Sequence, residues 1–125
     1  MAERLFTWVT NVDPACASHI KEVLAKEEPC LMQSLGRLPM LHFASLTLFP
    51  PREGAAASTL IFECNIDGPR DRYIEALVVA CIPSLDAIYR CVDGYPPPGD
   101  DHQKAVVRFL EHVGRGGIFI VDAFV

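Results

Sequence analysis

With 125 residues, half of them hydrophobic, the chain can build one domain with its own core and has no room for two. A net charge of -5 and the lack of any Lys/Arg block argue against a nucleic-acid partner. No apolar run approaches the ~20 residues that span a bilayer, and the start, MAERLFTWVTNVDP, lacks the basic-then-apolar pattern of a signal peptide. A cytoplasmic location without a membrane span is therefore expected. The five cysteines (Cys16, Cys30, Cys64, Cys81 and Cys91) are odd in number and form no C-x-x-C. That argues against a disulfide framework or structural zinc and for reduced, buried thiols.

Arg4 to Asn11, rich in β-branched and aromatic residues, reads as a first strand. Asp13-Pro14 marks a helix start, a capping carboxylate followed by proline at the first helical position. Cys16, Ile20, Val23 and Leu24 recur at helical spacing, and Pro29 is expected to stop that helix. CLMQSLGRLP then reads as a connector. Met40 to Phe49 forms a second strand ended by Pro50-Pro51, REGAAAS a loop tip, and Ser58 to Ile66 a third strand antiparallel to the second.

Asp67-Gly68-Pro69 repeats the turn-and-proline punctuation, with Asp67 as the expected cap of a second helix. Its buried stripe is read as Tyr73, Ala76, Leu77, Ala80 and Cys81, and Pro83 is expected to break it, leaving a further turn or two in SLDAIYRCV. DGYPPPGDD is a loop. Asp100 or Asp101 can cap a last helix with Ala105, Val106, Phe109, Leu110 and Val113 inward, ended by Gly114 and the Gly116-Gly117 pair. Gly117 to Val125 reads as a closing strand.

This order predicts a single α+β domain over residues 1–125, a ferredoxin-like split β-α-β fold. It has a four-stranded antiparallel sheet, helices on one face, and an extra helix inserted before the last strand. The other face is uncovered, and a chain this apolar is expected to cover it by forming a homodimer.

Alternation sends Leu60, Phe62, Cys64 and Ile66 toward the helices and Thr59, Ile61, Glu63, Asn65 and Asp67 to the uncovered face, which Asp122 of the closing strand shares. In the second strand His42 lies with Met40, Ala44, Leu46 and Leu48, against Phe43, Ser45, Thr47 and Phe49. Periodicity does not say which set faces the helices. Glu63 is the least expected residue, because a charge in so apolar a strand must be solvated or paired. It suits an ion pair across a dimer interface or, in a dry pocket, a general base. Asn65 suits a turn contact or a site role, and His42 a satisfied strand residue or a site group. Asp100-Asp101-His102 reads as acidic residues favouring a helix N-terminus, not as metal ligands. No Walker, G-x-S-x-G or zinc signature occurs, and no metal site is expected.

LHFASLTLF, then TLIFECNIDGPRDRYIEALV, then IYRCVDGYP resemble a little-characterised ferredoxin-like family. Its members carry a His-Phe-Ala strand, a Leu-Leu-Phe-Glu-Ser-Asn-x-Asp-Gly strand-to-helix segment and a later Gly-Tyr-Pro. They occur alone or beside haem peroxidase- or catalase-like proteins. The resemblance covers Leu38 to Pro96 and carries over to His42, Phe43, Ala44, Phe62, Glu63, Asn65, Asp67, Gly68, Gly94 and Tyr95. Ser45 stands where the family has a basic residue and Cys64 where it has serine. More widely, the chain is similar to dimeric α/β-barrel proteins, which include small monooxygenases, cyclases and haem-binding enzymes.

Two functions are open. The first is a small-molecule enzyme or binding protein with a pocket over the uncovered face. His42, Glu63 and Asn65 would be its catalytic groups, for acid/base or oxidative chemistry on an apolar substrate, with Trp8, Phe49 and Asp122 binding the ligand. Haem would rest on His42 alone. The second is a non-catalytic homodimeric interaction module or accessory subunit with Glu63 as an interface charge.

Overall fold

β1 (Glu3–Val12) and β2 (Leu41–Phe49) each pair antiparallel with β3 (Ser58–Asp67), giving the sheet order β1-β3-β2. β1 and β2 thus run parallel with β3 inserted between them. A short 3-10 turn (Pro14–Cys16) and α1 (Ala17–Leu35) connect them, while α2 (Arg70–Tyr89) and α3 (His102–Gly116) follow β3. This computed structural model describes residues 3–116, so the expected closing strand over Gly117 to Val125, with Asp122, lies outside the described residues. The α+β class and the antiparallel sheet are as expected.

All three helices lie on one face of the sheet. Leu60, Phe62, Cys64 and Ile66 of β3 are fully buried there beside Trp8 and Val12 of β1, and they meet Ile20, Leu31 and Leu35 of α1 and Val106 and Leu110 of α3. α2 supplies the broadest buried face, from Tyr73 and Ile74 through Leu77, Val78 and Cys81 to Leu85, Ile88 and Tyr89. The expected stripe was turned too far, since Ala76 is half-buried and Ala80 exposed. Ile74 and Val78 bury more apolar area than alanine does, and the helix rotates to place them inward.

Neither proline does what local propensity predicts. α1 continues through Pro29 and α2 through Pro83. Each proline forfeits a helical hydrogen bond, yet the apolar spacing carries on beyond it. Leu31 and Leu35 keep the stripe begun at Ile20, and Leu85, Ile88 and Tyr89 keep that begun at Tyr73, with all five buried. Tertiary burial outweighs the local break, and most of the predicted connector after Pro29 is helix.

Asp13 does cap: its Oδ1 accepts the Ala15 N–H at 3.0 Å. Asp67 does not. The N-cap of α2 is Pro69, with no side-chain cap bond, and the Asp67 N–H still donates to the Met40 carbonyl at 2.8 Å as part of the sheet edge. Gly68 and Gly94 have φ of +102° and +85°, a region that L side chains rarely adopt.

The cysteine expectation is corrected too. Cys16 and Cys91 form a disulfide across a sequence separation of 75, with Cα atoms 5.9 Å apart, inside the range a disulfide spans. The Val12–Val92 bridge and the Asp13 N–H donating to the Cys91 carbonyl at 2.8 Å bring the two segments together. Parity and spacing along the chain carry no information about that closeness. Cys30, Cys64 and Cys81 are free.

Candidate functional site

The sheet face away from the helices is a grid of cross-strand rows. In order along β3 these are Leu5–Asn65–Phe43, Thr7–Glu63–Ser45, Val9–Ile61–Thr47 and Asn11–Thr59–Phe49. Rows lie about 7 Å apart, two residues of strand rise. Polar groups collect at one end of this grid and a groove opens at the other.

The groove has a volume of about 880 Å³, and the loop between β2 and β3 forms its far wall. Val9, Ile61 and Phe49 form its floor, Pro14, Pro50 and Ala55 to Ala57 its sides, and Asn11, Thr59 and Arg52 its polar points. Phe49, expected as a ligand wall, is among the residues lining this groove and 40% exposed. Trp8 is not. It occupies the opposite face, fully buried, with its indole N–H donating to the Leu110 carbonyl at 2.8 Å and its ring near Phe62 and Tyr73. Alternation in β1 carries Phe6, Trp8, Thr10 and Val12 to the helices, and Trp8 is core.

At the polar end, His42 has a partner that strand alternation hides. The register shifts between Leu41 and Phe43, a bulge that interrupts the alternation of β2. Ala44, Leu46 and Leu48 then face the helices, opposite Cys64, Phe62 and Leu60. The His42 Nε2–H donates to Asp67 Oδ2 at 2.6 Å, with both side chains about two-fifths exposed. Asn65 and Glu63 follow in the next two rows, both half-buried. Glu63 makes no ion pair among the described residues; its flanking Thr7 and Ser45 are neutral. Some 13 Å of strand separates Asp67, with His42, from Glu63. These groups share a face without converging on one point.

Inside the core, Cys64 accepts a hydrogen bond from the Tyr73 hydroxyl at 2.9 Å. Burial pushes its thiol up to about 12 and that of Cys81 up to about 11, so both stay protonated and unreactive at neutral pH.

A second polar cluster joins α2, the loop before α3 and α3 itself. Asp86 Oδ1 accepts from the Tyr95 hydroxyl at 2.5 Å and from His102 Nε2–H at 2.7 Å, while His102 Nδ1–H donates to the Pro97 carbonyl at 3.0 Å. Acceptors beside both nitrogens favour the doubly protonated imidazole. The bond to Asp86, foremost among the causes, raises the His102 pKa above its ordinary value. Tyr95 and Phe109 meet edge-on at 5.3 Å beside Tyr89. This clasp explains Tyr95 and gives His102 a role beyond a helix start. Its signal in the sequence was the Gly-Tyr-Pro before the helix, which named Tyr95 without naming its partners.

No group of three or more His, Cys, Asp or Glu among the described residues is placed to hold a metal ion. Haem does not fit either. Among the described residues the groove lining contains no His, Cys, Met or Tyr, and the Nε2 of His42 is committed to Asp67. No helix among the described residues is long and apolar enough to cross a membrane. In comparisons with known proteins, no family model, no curated protein and no solved structure matches the chain.

Proposed function

We propose that this chain is a ferredoxin-like, homodimeric small-molecule-binding protein of the dimeric α/β-barrel kind, within the family whose motifs it resembles. The groove of about 880 Å³ on the uncovered face carries this reading. It lies within the range of ligand pockets and has the usual make-up, mostly apolar walls with a few polar points. Leu5, Phe43 and Phe49 are 41%, 56% and 40% exposed on the same face, an unusual outlay of apolar surface for a monomer. A second sheet laid across them would withdraw them from water and roof the groove.

Spacing favours binding over acid/base catalysis. Two groups that act on one reacting centre must both come within hydrogen-bond reach of it. His42 is instead bonded to Asp67, four residues along β3 from Glu63. Asn65 and Glu63 are better read as the polar border of the binding face.

The second reading, a non-catalytic module whose face is filled by its twin, draws on the same exposed apolar side chains. The two differ in whether the dimer keeps a cavity. As for location, a Cys16–Cys91 bond persists in oxidising compartments, so a cytoplasmic protein would hold it only reversibly.

Native mass spectrometry of the purified protein tests the proposal. The expected species is a dimer carrying a small organic molecule, with the molecule lost and the dimer kept in Ala56→Trp, which fills the groove. A dimer that binds nothing and is unaffected by Ala56→Trp would favour the interaction module; a monomer at high concentration would reject both.

A further inference from the structure

We infer that the groove selects an anionic amphiphile, an alkyl or aryl carboxylic acid whose apolar body lies on the sheet and whose carboxylate meets Arg52. This rests on the groove being a ligand site, and it adds the chemical class of the ligand.

The charge distribution carries the inference. The chain has 16 acidic residues against 11 basic ones and is negative overall. Yet among the described residues no acidic side chain lines the groove, and Arg52 is its one charged lining residue. Glu53, the next residue, does not line it, and Arg52 makes no ion pair among the described residues. A guanidinium at an apolar cleft, without a carboxylate of its own, is the planar fork that pairs bidentately with a carboxylate.

The remaining polar points match the same ligand. Asn11 and Thr59 face each other across β1 and β3 on the groove floor and can hydrogen-bond carboxylate oxygens or a substituent near them. One row further in, Val9 and Ile61 offer only carbon, fit for an alkyl chain or ring. Beyond them stands Glu63, about 7 Å from Ile61 along the strand, which would repel a second anionic group and limits the ligand to one charged end. The backbone fixes the position of Arg52: the Ala55 N–H donates to the Arg52 carbonyl at 2.9 Å, in a turn where Gly54 has φ of +82°.

Isothermal titration of the full chain with decanoate, decan-1-ol and decyltrimethylammonium, each below its micelle concentration, tests the inference. Decanoate is expected to bind about tenfold more tightly than decanol, as a charge-assisted pair adds to an equal apolar contact. The cation is expected to bind most weakly. Arg52→Gln should bring decanoate down to the affinity of decanol and leave decanol unchanged; Arg52→Lys should restore part of the difference. Equal binding of decanoate and decanol, untouched by Arg52→Gln, would leave the groove as a ligand site and overturn the anion preference. Failure of all three to bind would overturn the ligand site and the preference together.

Discussion

Replacing Trp8 by phenylalanine separates the core of this protein from its proposed ligand face. Trp8 is fully buried, its ring centroid 5.3 Å from that of Phe62 and 6.4 Å from that of Tyr73, and its indole N–H reaches the carbonyl of Leu110. Phenylalanine keeps the six-membered ring and loses the pyrrole portion. The lost hydrogen bond costs about 1 kcal/mol, because Leu110 lies inside a helix whose own ladder still engages its carbonyl. The removed carbons, about two methylene equivalents, cost about 1.6 kcal/mol in burial. The total is about 2.5 kcal/mol, which lowers the melting temperature by about 10 °C for a domain of this length. Urea denaturation followed by far-UV circular dichroism measures the stability loss, and titration with decanoate measures binding. The expected result is reduced stability with unchanged ligand affinity. A Trp8→Phe protein of normal stability with weakened decanoate binding would place Trp8 on the ligand side and refute the face assignment of β1.

Three further outcomes are expected. Cys91→Ser removes the cross-link over 75 residues; the chain-entropy account sets its contribution at about 4 kcal/mol, seen as a lower urea midpoint, and thiol titration of the unreduced, denatured wild type should find three free thiols, not five. Phe43→Asp puts a charge on an aromatic that is 56% exposed, and sedimentation velocity should show the proposed dimer giving way to monomer with the fold intact. His102 has a folded-state pKa raised above its unfolded value. Its contribution is therefore fully present below about pH 6.5 and is lost as pH rises through the higher folded value. His102→Gln should flatten that part of the stability profile, and urea midpoints across the range would show no change if the clasp were not formed.

Strand faces were legible wherever alternation ran unbroken. Leu60, Phe62, Cys64 and Ile66 were assigned inward from their spacing alone, and all four are buried. The stripe of α3 was equally readable, since Val106 and Leu110 recur four apart and lie in the core. The misreadings share one cause, a local rule overridden by a contact distant in sequence. Pro29 and Pro83 were taken as helix ends because the burial that carries α1 and α2 past them depends on the assembled core. Asp67 was taken as a cap because its true partner, His42, is 25 residues away and reaches it only through a bulge. Cys16 and Cys91 were taken as separate thiols because only the fold brings them together. For the candidate site, the shared face of Glu63, Asn65 and Asp67 was readable. The groove was not, because four of its lining residues come from the REGAAAS loop, whose mostly small residues give no sign of where the backbone turns.

The cross-link divides the molecule in a way the sheet diagram does not show. Between Cys16 and Cys91 lie α1, β2, β3 and α2, all inside one closed covalent ring. β1 lies outside that ring but is paired along its length with the enclosed β3, and α3 lies outside it too. That helix is held by the Trp8 indole on Leu110, by the Arg70 guanidinium donating to the Glu111 carbonyl at 2.8 Å, and by the Tyr95 clasp. Such an arrangement gives two opening steps of unequal cost. Amides of α3 exchange with solvent through partial release of one helix, while those of β3 wait for the whole ring to come apart. The groove, built on β1, β3 and their neighbouring loops, belongs to the slower part, so its shape would survive excursions of the last helix.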